Sequence, residues 1–336
     1  MTTSVFVSGA TGFIAQHVVQ QLIQKGYKVV GTVRSTEKGD RLKANLKSDN
    51  FEYEIVKDIA EEHAFDEALK KHPEVTVFLH TASPFHFNVT DVQKDLLDPA
   101  VKGTTNALSS IKKYGPQIKK VVVTSSYAAV APPIGVLGPE FTVDETSWNP
   151  TTLEEALSSP GLGYRGSKTF AERAAWAFLD TEKPTFTLNT VNPSFVFGPQ
   201  VFDSEVSATL NTSSEVLNSF TRLSPTDDVP VVKGGYVDVR DVARAHLHAF
   251  ESDVTGFRYL LSTGPFVGQD IIDVIRDNIP QLKDQVPKGV PGSGAEEIKK
   301  LNGVDNSKTA AKIGPFIDLK KTVVDSIEQI LAVNSK

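Results

Sequence analysis

Tyr164-Arg-Gly-Ser-Lys168 places a phenol and an amine four residues apart. On a helix, positions i and i+4 share one face, with Cβ atoms about 5–6 Å apart. A phenol with its ordinary pKa of about 10 holds its proton too tightly to shuttle it at neutral pH. A neighbouring ammonium favours the phenolate and lowers that pKa. Moving the phenol towards neutrality takes about 4 kcal/mol, at about 1.36 kcal/mol per pH unit. One ammonium together with the positive charge of an oxidised cofactor can supply that, and the same amine can hold a cofactor's sugar hydroxyls. Thr124-Ser125-Ser126 closes an apolar run that reads as a strand. Ligands of an open α/β sheet bind at the carboxyl ends of its strands, so a serine hydroxyl there can hold a carbonyl oxygen against Tyr164. The two-residue period of a strand leaves both Ser125 and Ser126 open for that place. Such a pair also arises by chance on helix surfaces, and a serine also caps turns, so the pattern draws its weight from the rest of the chain.

A second constellation stands at the first strand-to-helix junction, Gly9-Ala10-Thr11-Gly12-Phe13-Ile14-Ala15. A helix N-terminus offers unpaired N–H groups and the positive end of the helix dipole, which suit a pyrophosphate. Gly9 permits the tight turn, Gly12 lets backbone approach a phosphate, and Ala15 is small enough for close helix-to-strand packing. Charge after the second strand selects the cofactor. An acid there binds a ribose 2′-OH, but from Tyr27 to Thr36 there is none, and Arg34 and Lys38 follow instead. Both cations suit a 2′-phosphate, and hence NADPH over NADH. Asp58-Ile59 lies just past the third strand, where the Asp can accept from the adenine amino group or cap the next helix.

The elements that must position these groups are legible from periodicity. Short β-rich runs at 4–8, 28–33, 51–56, 75–79, 119–124 and 186–191 alternate with helical patterns. One of those, roughly 90–113, is interrupted near Pro99. Strands alternating with helices imply βαβ units and a Rossmann-type doubly wound parallel sheet, an α/β fold. After Pro193 the regularity fades, and a further strand at 258–261 follows the helix that runs through Phe250. Residues 1–193 and 231–263 therefore read as an NADPH-binding domain. Residues 194–230 and 264–336 read as a smaller, discontinuous α/β substrate lobe, with an irregular loop region at 280–306.

Composition excludes several classes. A chain of 336 residues with 35 Lys plus Arg against 41 Asp plus Glu carries a formal charge of −6, with no basic block for nucleic acid. No cysteine is present, which removes disulfides, thiolate metal sites and a Cys nucleophile. The seven histidines form no metal-ligand pattern on a helix face, so no metal is expected, and His246 and His248 read as structural or surface groups. No apolar run approaches the length of a membrane span or a leader, so the expectation is a cytoplasmic protein, monomer or homodimer, without membrane or nucleic-acid partners.

Taken together, Val5 to Ala15, His80-Thr-Ala-Ser-Pro-Phe85, Val123 to Val130, Tyr164 to Lys168, Val191-Asn-Pro193, Val196 to Gln200 and Gly235 to Asp241 resemble one family over essentially the whole chain. It is that of the extended or intermediate short-chain dehydrogenases/reductases. Within it the chain is similar to the yeast NADPH-dependent aldehyde and ketone reductases of the methylglyoxal and 3-methylbutanal type, kin of plant dihydroflavonol reductases. The resemblance implies Ser126, Tyr164 and Lys168 as the catalytic set and Gly9 to Ile14 as the phosphate turn. It implies Arg34 and Lys38 as the 2′-phosphate cations and Asp58 and Ile59 as adenine contacts. It further implies Ala82, Ser83, Val196 and Ser213 as cofactor contacts, while Asn106 matches a helix position where relatives keep an Asn. Phe85, Tyr127 and Phe195 stand beside these motifs as candidate apolar pocket walls, with plain core packing as the alternative. The expected activity is reduction of a small-molecule carbonyl by NADPH, with Tyr164 as proton donor. Two other readings share these residues: a nucleotide-sugar epimerase or dehydratase, which would favour an acid where Arg34 stands, and a non-catalytic NADP-sensing regulator, which would have no need of the Tyr/Lys pair.

Overall fold

The computed structural model describes residues 3–83, 89–133 and 135–335. In chain order the elements begin β1 (Ser4–Ser8), α1 (Phe13–Gln24), β2 (Lys28–Val33), α2 (Thr36–Leu46), β3 (Phe51–Ile55), α3 (Asp66–Lys71) and β4 (Val75–His80). A π-helical turn, Gln93–Leu97, runs into α4 (Asp98–Tyr114), then β5 (Lys120–Thr124), a 3-10 turn at Tyr127–Ala129 and β6 (Thr142–Asp144). They continue with α5 (Leu153–Leu157), α6 (Pro160–Glu182), β7 (Thr187–Pro193), β8 (Phe195–Phe197), α7 (Thr212–Phe220), β9 (Lys233–Asp238) and α8 (Val239–Glu251). The chain finishes with β10 (Arg258–Leu261), β11 (Gly264–Val267), α9 (Gly268–Asn278), α10 (Gly294–Ile298), β12 (Gly303–Asp305), α11 (Ser307–Ile313) and α12 (Leu319–Asn334).

Seven strands form one sheet in the order β10-β7-β5-β4-β1-β2-β3. Every pair from β7 across to β3 is parallel. This is the Rossmann-type doubly wound α/β sheet that the strand–helix alternation predicts. All five residues of β1 are buried, as expected of a central strand covered on both faces. Phe6 stacks on Phe78 of β4 at 4.8 Å between ring centroids. Around them Val30, Phe65, Leu69, Leu108, Ile111 and Val121 form a core between the sheet and the helices α3 and α4. The interruption expected near Pro99 is the π turn itself, after which Pro99 stands in the first turn of α4. Proline has no N–H to donate and its ring crowds the preceding turn, so regular i−4 bonding does not run through this point.

The chain divides into two compact units. The first holds residues 1–132, 145–192 and 243–259, and the second holds 133–144, 193–242 and 260–336. Their boundaries differ from the sequence expectation chiefly at 231–242 and 133–144, and residue 193 and residues 260–263 also fall in the second unit. Residues 231–242 join the second unit because β9 pairs with β8 and β11 in a three-stranded sheet. Residues 133–144 join it because β6 pairs with β12, more than 150 residues further along the chain. The second unit has its own core, in which Phe197, Leu217, Phe220, Phe266, Ile271, Ile275 and Ile327 pack together. Asp238, fully buried there, accepts from Arg240 at 2.7 and 2.8 Å and from Thr322 at 2.8 Å.

Candidate active site

The phosphate turn begins where β1 ends. Gly9 has φ +67°, a left-handed conformation that disfavours side chains, and a Cβ there would stand 3.0 Å from Ala82. Its N–H donates to Thr32 Oγ1 at 3.0 Å, and the N–H of Ala10 donates to the Thr32 carbonyl at 2.9 Å, so β2 holds the turn. Gly12 caps α1, whose first turn carries no acid. Thr11, Phe13 and Ile14 are partly exposed around this helix N-terminus, while Ala15 is buried against the sheet. Arg34 stands exposed just past β2, and Lys38 stands exposed in the first turn of α2, which Ser35 caps.

Asp58 is exposed and accepts from the Ala60 N–H at 2.8 Å, so in this structure its carboxylate caps a turn. Ile59 packs beside Gly103 of α4. Asn106 donates to the carbonyls of Ala60 and Glu61 at 3.0 and 2.9 Å, a bridge from α4 to the loop backbone.

Tyr164 and Lys168 lie on α6, which Ser159 caps and Pro160 opens. Gly166, between them, lets α5 come close: a Cβ there would stand 2.4 Å from that of Ala156. Tyr164 packs against the apolar group of Leu96, Leu97 and Ala156. The Lys168 ammonium stands 5.9 Å from the centre of the Tyr164 ring. It donates to Ser83 Oγ at 2.9 Å. The neighbouring Ala82 N–H donates to Ser8 Oγ at 3.0 Å, so this amine adjoins the strand ends that flank the phosphate turn.

The two serines part company. Ser126 shares a side-chain hydrogen bond with Tyr164. Ser126 also caps the 3-10 turn by accepting from the Ala128 N–H at 3.1 Å. Ser125 points the other way and donates to the Glu172 carboxylate at 2.5 Å. Strand alternation could not choose between them; a carboxylate 47 positions away in the chain does.

Electrostatics in the site follow burial. Tyr164 is raised above its ordinary pKa, chiefly by burial, against the lowering influence of the Ser126 hydroxyl and the Arg165 charge. The sequence expectation was a phenol lowered by Lys168. In the protein alone the groups that lower it are Ser126 and Arg165, and burial outweighs both. Lys168 is itself pushed down to about 8, because burial penalises its charge. His80 is pushed down to about 4 by burial and by the Lys168 charge. Its Nδ1 lies 3.0 Å from Ser8 Oγ. His80, Ser83, Thr104, Thr124, Lys168 and Glu172 line one cleft. Sequence reasoning missed His80, Arg165 and Glu172. Only Glu172 left a signal, as the i+4 continuation of the Tyr164/Lys168 face.

The remaining candidates are placed as follows. Tyr127 is buried in the 3-10 turn after Ser126. Phe85 lies outside the described residues. Phe195, Val196 and Ser213 belong to the second unit. There Phe195 packs edge-on against Phe266 at 5.8 Å, which is the core-packing alternative, and Val196 is buried on β8. Ser213 lies in the first turn of α7. His246 is buried with Nε2 2.7 Å from Thr124 Oγ1, and His248 Nδ1 lies 3.1 Å from Tyr259 Oη. Among the described residues, one grouping of metal-ligand types occurs, Glu52, His72 and Glu74. Histidine spacing did not reveal it, and its imidazole already meets Glu74 at 3.0 Å and Glu54 at 3.3 Å. Among the described residues no helix is long and apolar enough to cross a membrane.

The family model described as the NAD dependent epimerase/dehydratase family matches residues 5–260. A putative NADPH-dependent methylglyoxal reductase of Candida albicans is 57% identical over 337 residues, covering 98% of this chain and 99% of that protein. The NADPH-dependent methylglyoxal reductase of Saccharomyces cerevisiae is 47% identical over 335 residues, covering 98% of each. The crystal structure of Gre2 in complex with NADPH from Candida albicans matches with a TM-score of 0.95 at 49% identity, over 98% of this chain and 99% of that one. A matched segment running from β1 into β10, together with relatives this similar along nearly their whole length, means that the chain belongs to the NAD dependent epimerase/dehydratase family.

Proposed function

We propose that this protein uses NADPH to reduce aldehydes and ketones to chiral alcohols, α-dicarbonyls such as methylglyoxal and bulky or aryl ketones among them. The observation that carries the reading is the hydrogen-bonded Ser126–Tyr164 pair with Lys168 one helical turn beyond, all in the unit that holds the phosphate turn. The residues present fit the dinucleotide. An acid-free helix N-terminus behind Gly9 suits a pyrophosphate, and the exposed Arg34 and Lys38 suit a 2′-phosphate. Gly9 to Ile14, Arg34, Lys38, Ala82, Ser83 and Lys168 would hold it, with Asp58 and Ile59 near the adenine. Val196 and Ser213 enter the proposal through the family resemblance alone.

When bound, NADPH supplies the hydride. The chain supplies the proton and the geometry. Burial keeps the Tyr164 phenol protonated, so its Oη gives a proton to the carbonyl oxygen as negative charge develops there. Ser126 Oγ donates a hydrogen bond to the same oxygen. Lys168, anchored on Ser83, holds the nicotinamide ribose and keeps positive charge near the phenol. Arg34 speaks against a nucleotide-sugar epimerase or dehydratase, which would favour an acid at the ribose 2′-OH. A cytosolic location, as monomer or homodimer, completes the proposal; cell fractionation and size-exclusion chromatography test it.

Loss of nicotinamide absorbance with aldehydes, α-dicarbonyls and aryl ketones, run with NADPH and with NADH, is the direct assay. In Tyr164→Phe, turnover should fall by about 100-fold or more while NADPH binding, read by fluorescence titration, is retained. Near wild-type rates in that variant would remove Tyr164 from the mechanism.

A further inference from the structure

Tyr164, Lys168 and Glu172 continue one face of α6 at four-residue intervals. The Glu172 side chain is wholly buried, and four side chains donate to its carboxylate. Oε2 accepts from Ser125 Oγ at 2.5 Å and from Asn192 Nδ2 at 2.6 Å. Oε1 accepts from Arg258 Nε at 2.6 Å and from Trp176 Nε1 at 3.2 Å, while the single Thr190 hydroxyl proton stands nearer Asn192 Oδ1, at 2.8 Å, than Oε1, at 3.2 Å. Two of these partners pass the constraint on to the turn that bears Ser126. Asn192 Nδ2 also donates to the Ser126 carbonyl at 3.2 Å. Arg258 Nη2 donates to the Ala129 carbonyl at 3.4 Å, while its guanidinium lies 3.9 Å over the Trp148 ring.

A buried carboxylate–guanidinium pair is weak evidence for stability, because desolvation of both ions offsets much of their attraction. What this network does is geometric. It joins the helix bearing Tyr164 to the end of β5 and to β7, and every tie on the β5 side falls within residues 125–129. With Ser125 drawn inward, the side chain of the next residue projects the other way, towards Tyr164. We infer that Glu172 is a positioning residue for carbonyl reduction: it sets the Ser126 hydroxyl against the Tyr164 phenol through Ser125 and Asn192. The inference rests on the proposed roles of Ser126 and Tyr164.

A double-mutant cycle on the full chain tests it, with NADPH and a small aldehyde and with kcat expressed per NADPH-titrated site. Glu172→Gln presents an amide where Asn192 and Ser125 need an acceptor. It should lower kcat by about 10–100-fold and leave the NADPH dissociation constant within about 3-fold. Ser126→Ala should cost a similar factor by itself. The double variant should fall no more than about 3-fold below Ser126→Ala, because both changes remove one function. Losses that multiply would overturn the inference, as would an unchanged kcat per site in Glu172→Gln. Full activity in Ser126→Ala would sink the assigned role of that serine, and with it any action of Glu172 through it. If Glu172→Gln does not fold, Ser125→Ala removes a single hydroxyl from the same network. Its expected loss of about 3–10-fold should vanish in the Ser126→Ala background, and a loss that persists there, or no loss at all, counts against the inference.

Discussion

Burial moves the two titrating side chains of the site in opposite directions, and each shift favours the uncharged form. A desolvated phenol keeps its proton, which is the form that donates to an alkoxide. A desolvated ammonium gives its proton up early, and Lys168 does so at about 8. The proposed mechanism needs Tyr164 protonated and Lys168 charged, and the second condition fails first as pH rises. We expect kcat/KM for reduction to fall as pH passes through about 8, and a profile flat to about pH 9.5 would contradict the role given to Lys168. At the other end of the dinucleotide, exposed Arg34 makes its contribution through charge and a planar donor set. Arg34→Glu should weaken NADPH by about 10–100-fold, from lost charge-assisted hydrogen bonds of about 1.5–3 kcal/mol, and change NADH much less. Equal losses for both cofactors, measured as kcat/KM, would place the 2′-phosphate elsewhere.

Helix α6 presents its chemistry because its neighbours can approach it. Gly166 admits Ala156 of α5, and Ser159 with Pro160 sets where the helix starts, hence which face carries Tyr164 and Lys168. On α4 the side chain of Asn106 does a different task, since its amide is spent on loop carbonyls. Asn106→Ala removes the side-chain donor that ties α4 to this loop, though the Glu61 carbonyl keeps the Ala64 N–H, and we expect a loss of about 0.5–1.5 kcal/mol in unfolding free energy. Turnover per folded site should stay within about 3-fold of wild type. A fall in kcat of an order of magnitude at unchanged stability would instead give Asn106 a part in the chemistry.

The whole molecule carries an acid liability at its first core. His80 is fully enclosed and held at about 4, whereas an unfolded histidine titrates near its ordinary value of 6.5. The unfolded chain therefore takes up a proton that the folded chain refuses, and stability is lost as pH falls from about 6.5 to about 4. The shift corresponds to about 3 kcal/mol at full extent. Thermal unfolding followed from pH 7 to pH 4.5 should show this loss, and His80→Asn should flatten it; an equal slope in the variant would assign the acid sensitivity to other groups.

What could be read along the chain is what neighbours in sequence decide. The parallel sheet, the phosphate turn, the cations after β2 and the Tyr164/Lys168 spacing all follow from two- and four-residue periods and from turn chemistry. The choice of Ser126 over Ser125, the convergence of Asn192 and Arg258 on Glu172, and the transfer of residues 133–144 to the second unit were not legible. They depend on partners 20 to 160 positions away, brought together by packing, and burial likewise set the charges of Tyr164, Lys168 and His80. Local pattern specifies which groups are present and on which element, while desolvation and long-range hydrogen bonds exist only once the chain has closed around them.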